Sequence, residues 1–216
     1  MNFLSTWVNN PSGEDVNERV GVMCQTYTRS LRRMAGATLG RMFAYWRGVI
    51  ALGVLAPERV GRVALVSGAD VGLEEDETPE VLAAELGEEV RMLRKDPDEW
   101  YAGFVAEVAE VDRWVLERPE VQSIAIGMFQ EAVRQGAVGW VDDVLRLGRP
   151  WPFCLDEVVA EVTFHHGEGD GNVPPQYAEE LAERIPGSRL HLHPGEGHIS
   201  ILDKPIQGIV ETLIVP

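Results

Sequence analysis

VVAEVTFHHGEGDGNVPPQYAEELAERIPGSRLHLHPGEGHIS, residues 158–200, decides the fold. Its first seven residues, Val158 to Phe164, form an apolar, β-branched run that predicts a strand. HHGEGDGNVPP then reads as a loop, rich in glycine and closed by two prolines. QYAEELAERI, 176–185, has helical spacing and stops against Pro186-Gly187. SRLHLHP, 188–194, predicts a second strand, and GEGHIS a second loop. Strand, helix, strand in that order is half of a parallel α/β layer. The two strands are expected to centre on Val162 and Leu190 and to run parallel.

Moving outward, the same pattern appears upstream. VIALGVLA, 49–56, suits a buried helical segment ended by Pro57. Val60 to Val66 form another apolar run, closed by Ser67-Gly68, which predicts a strand centred on Ala64. Downstream, Asp203 to Val215 predicts a final helix. Between the strands, residues 74–148 show no strand pattern. Thr78-Pro79-Glu80 is a helix start, with a cap residue followed by proline at the first helical position. Leu82, Leu86, Val90 and Leu93 recur at helical spacing, as do Phe104, Val108, Val111 and Val115. An all-helical block between strands reads as an insertion placed over a site. Over 74–120 there are 16 acids against five basic residues, which predicts a solvated outer face.

The chain has 216 residues, 45% hydrophobic and 25% charged, and a net charge of −16. That size and composition suit one globular domain with an insertion. The charge argues against nucleic acid and anionic membrane as partners, because both require a basic surface. Two cysteines, Cys24 and Cys154, make no disulfide framework, and a reducing cytoplasm is expected. No apolar run approaches the roughly 20 residues of a membrane span. The charge is uneven. Residues 1–48 carry six arginines against Glu14, Asp15 and Glu18, a net of +3, so the remainder carries −16 − 3 = −19. The composition breaks close to Gly48, and residues 1–48 stay unassigned.

Two loops hold the chemistry. Asp170 lies just past a strand, in a turn made permissive by three glycines. His198 lies just past the next strand. In open α/β sheets, sites form beyond the carboxyl ends of strands, where an Asp and a His on neighbouring strand ends can meet. A carboxylate on one ring nitrogen fixes the tautomer and leaves the other nitrogen as a base. Other residues have plainer readings. His191 and His193 alternate with Leu190 and Leu192 and so share one strand face. With His165 and His166 they could gather a metal, but no Cys/Asp ligand spacing supports it, and neither a metal site nor a cofactor is expected. Cys24, in VGVMCQT, could be a thiol at a strand end, although it lies far upstream of Pro57. Ser30 and Ser67 read as caps or turn residues. Trp151 and Phe153 read as packing between the helical block and the core.

From about Gly48 onward these residues resemble the C-terminal portion of the α/β-hydrolase-fold family. Pro57-Glu58-Arg59-Val60 followed by VALVSG is similar to the helix after the family's nucleophile turn and the strand behind it. Residues 74–148 stand where that family inserts a helical cap. Trp151-Pro152-Phe153, a strand and HGEGDGNVP resemble the stretch bearing the catalytic acid; PGEGHIS resembles the histidine loop. The resemblance implies a partial α/β-hydrolase-like parallel sheet with a helical cap insertion. The core would be 49–73 and 149–216, and the cap 74–148. It also implies that Asp170 is the triad acid and His198 the general base, acting on a small ester or amide. The chain order, acid then histidine, agrees with the family. The family's G-x-S-x-G does not occur anywhere in the chain. Counting back from Pro57 puts the nucleophile slot near Phe43 to Tyr45, where no Ser, Cys or Asp stands. Two function classes therefore follow. One is a small-molecule hydrolase with impaired turnover. The other is a non-catalytic remnant, a pseudoenzyme that binds. Residues 1–48 would be a replaced, truncated or frameshifted start, and a sheet missing a neighbour could be covered by forming a homodimer.

Overall fold

The computed structural model describes residues 20–24, 50–51, 53–55, 60–68, 78–147 and 153–214. Among them is a four-stranded sheet in the order β1-β2-β3-β4: β1 Val20–Cys24, β2 Arg62–Val66, β3 Glu161–Gly167 and β4 Arg189–His193. Every pairing is parallel, with Cys24 level with Val66, Val63 with Val162, and Phe164 with Leu190. Parallel strands need crossover connections, and helices supply them. The strand β1 falls within residues 1–48, which the sequence left unassigned. Its VGVMC run is β-branched at alternate positions, which is the signal that finds it. The rest of 1–48, including Ser30 and the Phe43–Tyr45 slot, lies outside the described residues.

Successive residues of a strand point to opposite faces, and β2 packs a core on each. Val63 and Leu65 join Val162, Phe164 and Ile50 on one face, against Leu181 and Ile185. Ala64 and Val66 face the other way, against Ile201, Ile209 and Leu213. Leu181 belongs to helix α6, Pro175–Arg184, and Ile209 to helix α7, Pro205–Ile214. The sheet is thus covered by helices on both faces, as the βα pattern predicts.

The helical block contains five helices among the described residues. They are α1 Pro79–Lys95, α2 Pro97–Glu107, α3 Glu110–Leu116, α4 Pro119–Ala132 and α5 Val138–Leu147. Thr78 caps α1 by accepting from the Val81 amide, and Asp96 caps α2 by accepting from the Glu99 amide. Each capping oxygen satisfies an amide that has no partner within its helix. The block has its own core. Leu82, Leu86, Val90 and Leu93 of α1 meet the aromatic side chains of Trp100, Phe104 and Phe129. Phe104 and Phe129 pack edge-on at 5.7 Å between centroids, a favoured geometry for aromatic rings.

The predicted strand 158–164 is corrected at both ends. β3 starts at Glu161 and continues through His165, His166 and Gly167, which were read as loop. Pairing explains the shift. Past Val66, where β2 ends, β4 still offers partners for His166 and Gly167 at Leu192 and His193. Val158 instead leaves a short 3-10 turn, Leu155–Glu157, and Val159 donates to Gly53.

Candidate active site

The loops after β3 and β4 touch at their glycines. Gly167 ends β3, and a Cβ there would overlap the carbonyl oxygens of Gly197 and Glu196. The Glu168 amide donates to His193 and the Gly169 amide to Glu196, so the β3 loop lies on the β4 loop. Asp170 is carried on the first loop and His198 on the second, and both are buried.

His198 Nδ1 lies 2.7 Å from Asp170 Oδ2. The carboxylate can only accept, so Nδ1 carries the proton and donates it. Nε2 then holds the lone pair, and it is buried with no hydrogen-bond partner among the described residues. The other carboxylate oxygen, Oδ1, accepts from the Asn172 amide at 2.9 Å and the Val173 amide at 2.8 Å. His166 Nε2 is 3.1 Å from Asp170 Oδ2 and 2.8 Å from the Val173 carbonyl, so its proton is shared between two acceptors. Burial alone would push the Asp170 carboxyl up. Attraction to His198 when its ring is protonated, and the hydrogen bonds from His166 and His198, outweigh burial and hold the carboxyl well below its usual range. Asp170 is therefore an anion at neutral pH, as the orienting partner of a histidine must be.

The remaining sequence candidates are placed as follows. His165, His191 and His193 share the opposite sheet face. His165 Nδ1 lies 3.1 Å from His193 Nε2, and the His165 and His191 rings stack at 4.8 Å. Strand alternation turns His166 to the other face, so the four histidines do not converge. No group of three or more His, Cys, Asp or Glu among the described residues is arranged to hold a metal. Burial, then the neighbouring His191 and His193, lowers the His165 pKa to about 4. A cavity of about 730 Å³ opens on this face between the sheet and α7, and neither Asp170 nor His198 lines it. Phe153 is half-buried against the sheet core; Trp151 lies outside the described residues.

The sequence matches no protein-family model and no curated protein. Its fold does match solved structures. A hydrolase from Pseudomonas aeruginosa aligns at TM-score 0.57 and 18% identity, over 91% of this chain and 89% of that one. A bromoperoxidase from Bacillus anthracis aligns at 0.57 and 18%, over 90% of this chain and 65% of that one. An esterase from Exiguobacterium antarcticum aligns at 0.55 and 16%, over 94% of each chain. The chain has the α/β-hydrolase fold.

Two residues around the pair of this α/β-hydrolase fold were not singled out for the site by the sequence. Ser67 follows β2 with φ at 50°, a left-handed conformation that costs a non-glycine residue about 1–3 kcal/mol. Its amide donates to His165, and its buried hydroxyl donates to the His198 carbonyl at 3.2 Å. The serine read as a turn residue is thus also a tie to the histidine loop. The second is Asp112 of α3, fully buried, whose carboxylate accepts from the amides of His198, Ile199 and Ser200. The predicted stripe ran through Val111, but Val111 is only half-buried, and the buried positions are Phe104, Val108, Asp112 and Val115. An acid at the i+4 position of an apolar stripe was the available signal. Cys24 is the last residue of β1, at the same edge of the sheet as Ser67.

Proposed function

We propose that the chain acts on a small ester or amide, with Asp170 orienting His198 and His198 serving as general base through Nε2. The observation that supports this is the 2.7 Å contact between Nδ1 and a buried carboxylate, and an Nε2 without a hydrogen-bond partner among the described residues. The chemistry it allows is proton abstraction from a hydroxyl, a thiol or water. Such help is typically worth about 10²–10⁴-fold. A complete triad gains more, because a covalent intermediate and oxyanion stabilisation are added. The sequence has no G-x-S-x-G, so turnover on this reading is slow. The missing motif equally favours a second reading, a non-catalytic remnant that binds a small molecule without transforming it. Residues 74–148 would then be the cap that sets which molecule enters. A cytoplasmic protein without nucleic acid, membrane or cofactor partners fits both readings, and a homodimer is one way to cover an edge of the described sheet. Among the described residues no helix is long and apolar enough to cross a membrane.

Hydrolysis of p-nitrophenyl butyrate by the purified chain tests this. On the catalytic reading the rate is slow, without a burst, and falls toward that of an inert protein in His198→Ala. A rate no higher than that of an inert protein, and unchanged in His198→Ala, contradicts it and leaves the binding remnant. A stoichiometric burst abolished by His198→Ala would reveal a nucleophile, and Cys24→Ala and Ser30→Ala would be the first variants to locate it.

A further inference from the structure

We propose that Asp112, on the helical block, is a positioning residue for His198: its carboxylate fixes the backbone of the histidine loop and through it the imidazole. The inference rests on the reading of Asp170 and His198 as an acid–base pair.

Three consecutive amides converge on this one side chain. Oδ2 accepts from His198 at 2.8 Å, and Oδ1 accepts from Ile199 at 3.0 Å and Ser200 at 2.8 Å. These amides precede and open a short 3-10 turn, Ser200–Leu202, where the chain supplies no acceptor of its own. The carboxylate is buried, and these three amides are its hydrogen-bond donors among the described residues. It also lies flat on Gly197. A Cβ there would come within 2.5 Å of both carboxylate oxygens, so the approach requires glycine. The Gly197 amide donates to Ser200 Oγ at 2.7 Å, closing the loop on itself.

The peptide of His198 is held from both sides. Asp112 takes its N–H and Ser67 donates to its carbonyl. With Asp170 on the ring, the residue has three anchors on three different elements. Two of them stand just past strands, and the third, Asp112, belongs to the helical block. Ile199 packs against the core of the helical block, and Tyr101 donates to the Leu116 carbonyl at the end of α3. A displacement of α3 therefore reaches the loop through a charged clamp. A residue that merely caps a loop would affect stability; a positioning residue also moves the imidazole.

The test uses the full 216-residue chain and two readouts, amide hydrogen exchange at 198–200 and the low-field NMR proton of His198 Nδ1. In the wild type the three amides exchange slowly; fast exchange there overturns the proposal. Asp112→Asn turns one acceptor oxygen into a donor that faces an amide. Exchange at 198–200 is expected to rise about tenfold or more, as loss of a charge-assisted hydrogen bond allows, and the Nδ1 proton to shift or broaden. Arg118→Gln is the control. It breaks the 2.8 Å pair between Arg118 and Asp203, which ties the same block to the core. It should lower the melting temperature without moving the Nδ1 proton. An Nδ1 proton unchanged in Asp112→Asn, or moved equally by Arg118→Gln, overturns the proposal. Should Asp112→Asn not fold, Asp112→Glu carries the same test, because it keeps the charge and displaces it by one methylene. Asp170→Asn separates the two readings: it removes the Nδ1 proton while leaving the amides of 198–200 slow. A wild type with slow amides and no such proton contradicts the acid–base pair, not the clamp.

Discussion

Asp170 carries more hydrogen bonds than its position in a glycine-rich turn suggests. Two amides take one oxygen, and two imidazoles approach the other. Asp170 and His198 were legible because each stands a few residues past a strand, with glycines around it. Asp112 was not, because an acid inside a helical stripe looks like one more solvated charge until the histidine loop arrives from 86 residues away. Glycines carry the same lesson. The sequence reads Gly167 as a loop glycine and Gly103 as a helical one, but does not show what stands beside either. A methyl at Gly167 would meet the backbone of the next loop, whereas a methyl at Gly103, exposed on α2, meets nothing within 4 Å. Gly167→Ala is therefore expected to destabilise by about 1–3 kcal/mol or more. Gly103→Ala should stabilise by about 0.5–1 kcal/mol through helix propensity. Urea denaturation of both variants checks the contrast; equal effects would place the two loops farther apart than described here.

At the scale of elements, the order strand, helix, strand was legible and the strand ends were not. Apolar runs show where a strand has a core to face. They do not show where a neighbour continues to offer hydrogen bonds, and that is what extended β3 through His165 and His166. The extension has a consequence for pH. His165 sits on β3 beside the two histidines of β4, with its pKa lowered to about 4. An unfolded histidine titrates near 6.5. Between these values the unfolded chain binds a proton that the fold refuses, so stability rises with pH across the window. The contribution is fully present above about 6.5 and is lost as pH falls to about 4. His193, lowered by burial and by His191, adds in the same direction. Urea midpoints measured across this window should fall with acid in the wild type and fall less in His165→Gln. Parallel curves would show that His165 is protonated in the folded protein.

The described residues pack around two cores. One lies within the five helices of residues 78–147, and the other is divided between the two faces of the sheet. The α/β class was legible because periodicity switches at each boundary. The segment before Gly48 was not, since its charge differs in sign from the rest and its pattern is poor; only β1 of it enters the described sheet. The cores meet at the histidine loop, through Asp112 and Ile199, and at the pair of Arg118 with Asp203. The contact between Asp170 and His198 is a product of this assembly. Its members lie 28 residues apart, on loops that only the parallel pairing of β3 with β4 brings together. A double-mutant cycle tests that pairing most directly, using urea denaturation of the wild type, Asp170→Asn, His198→Ala and the double variant. The account predicts a coupling of about 0.5–3 kcal/mol, as for residues in one hydrogen-bond network. Effects that add within about 0.3–0.5 kcal/mol would show two residues that do not interact, and would contradict it.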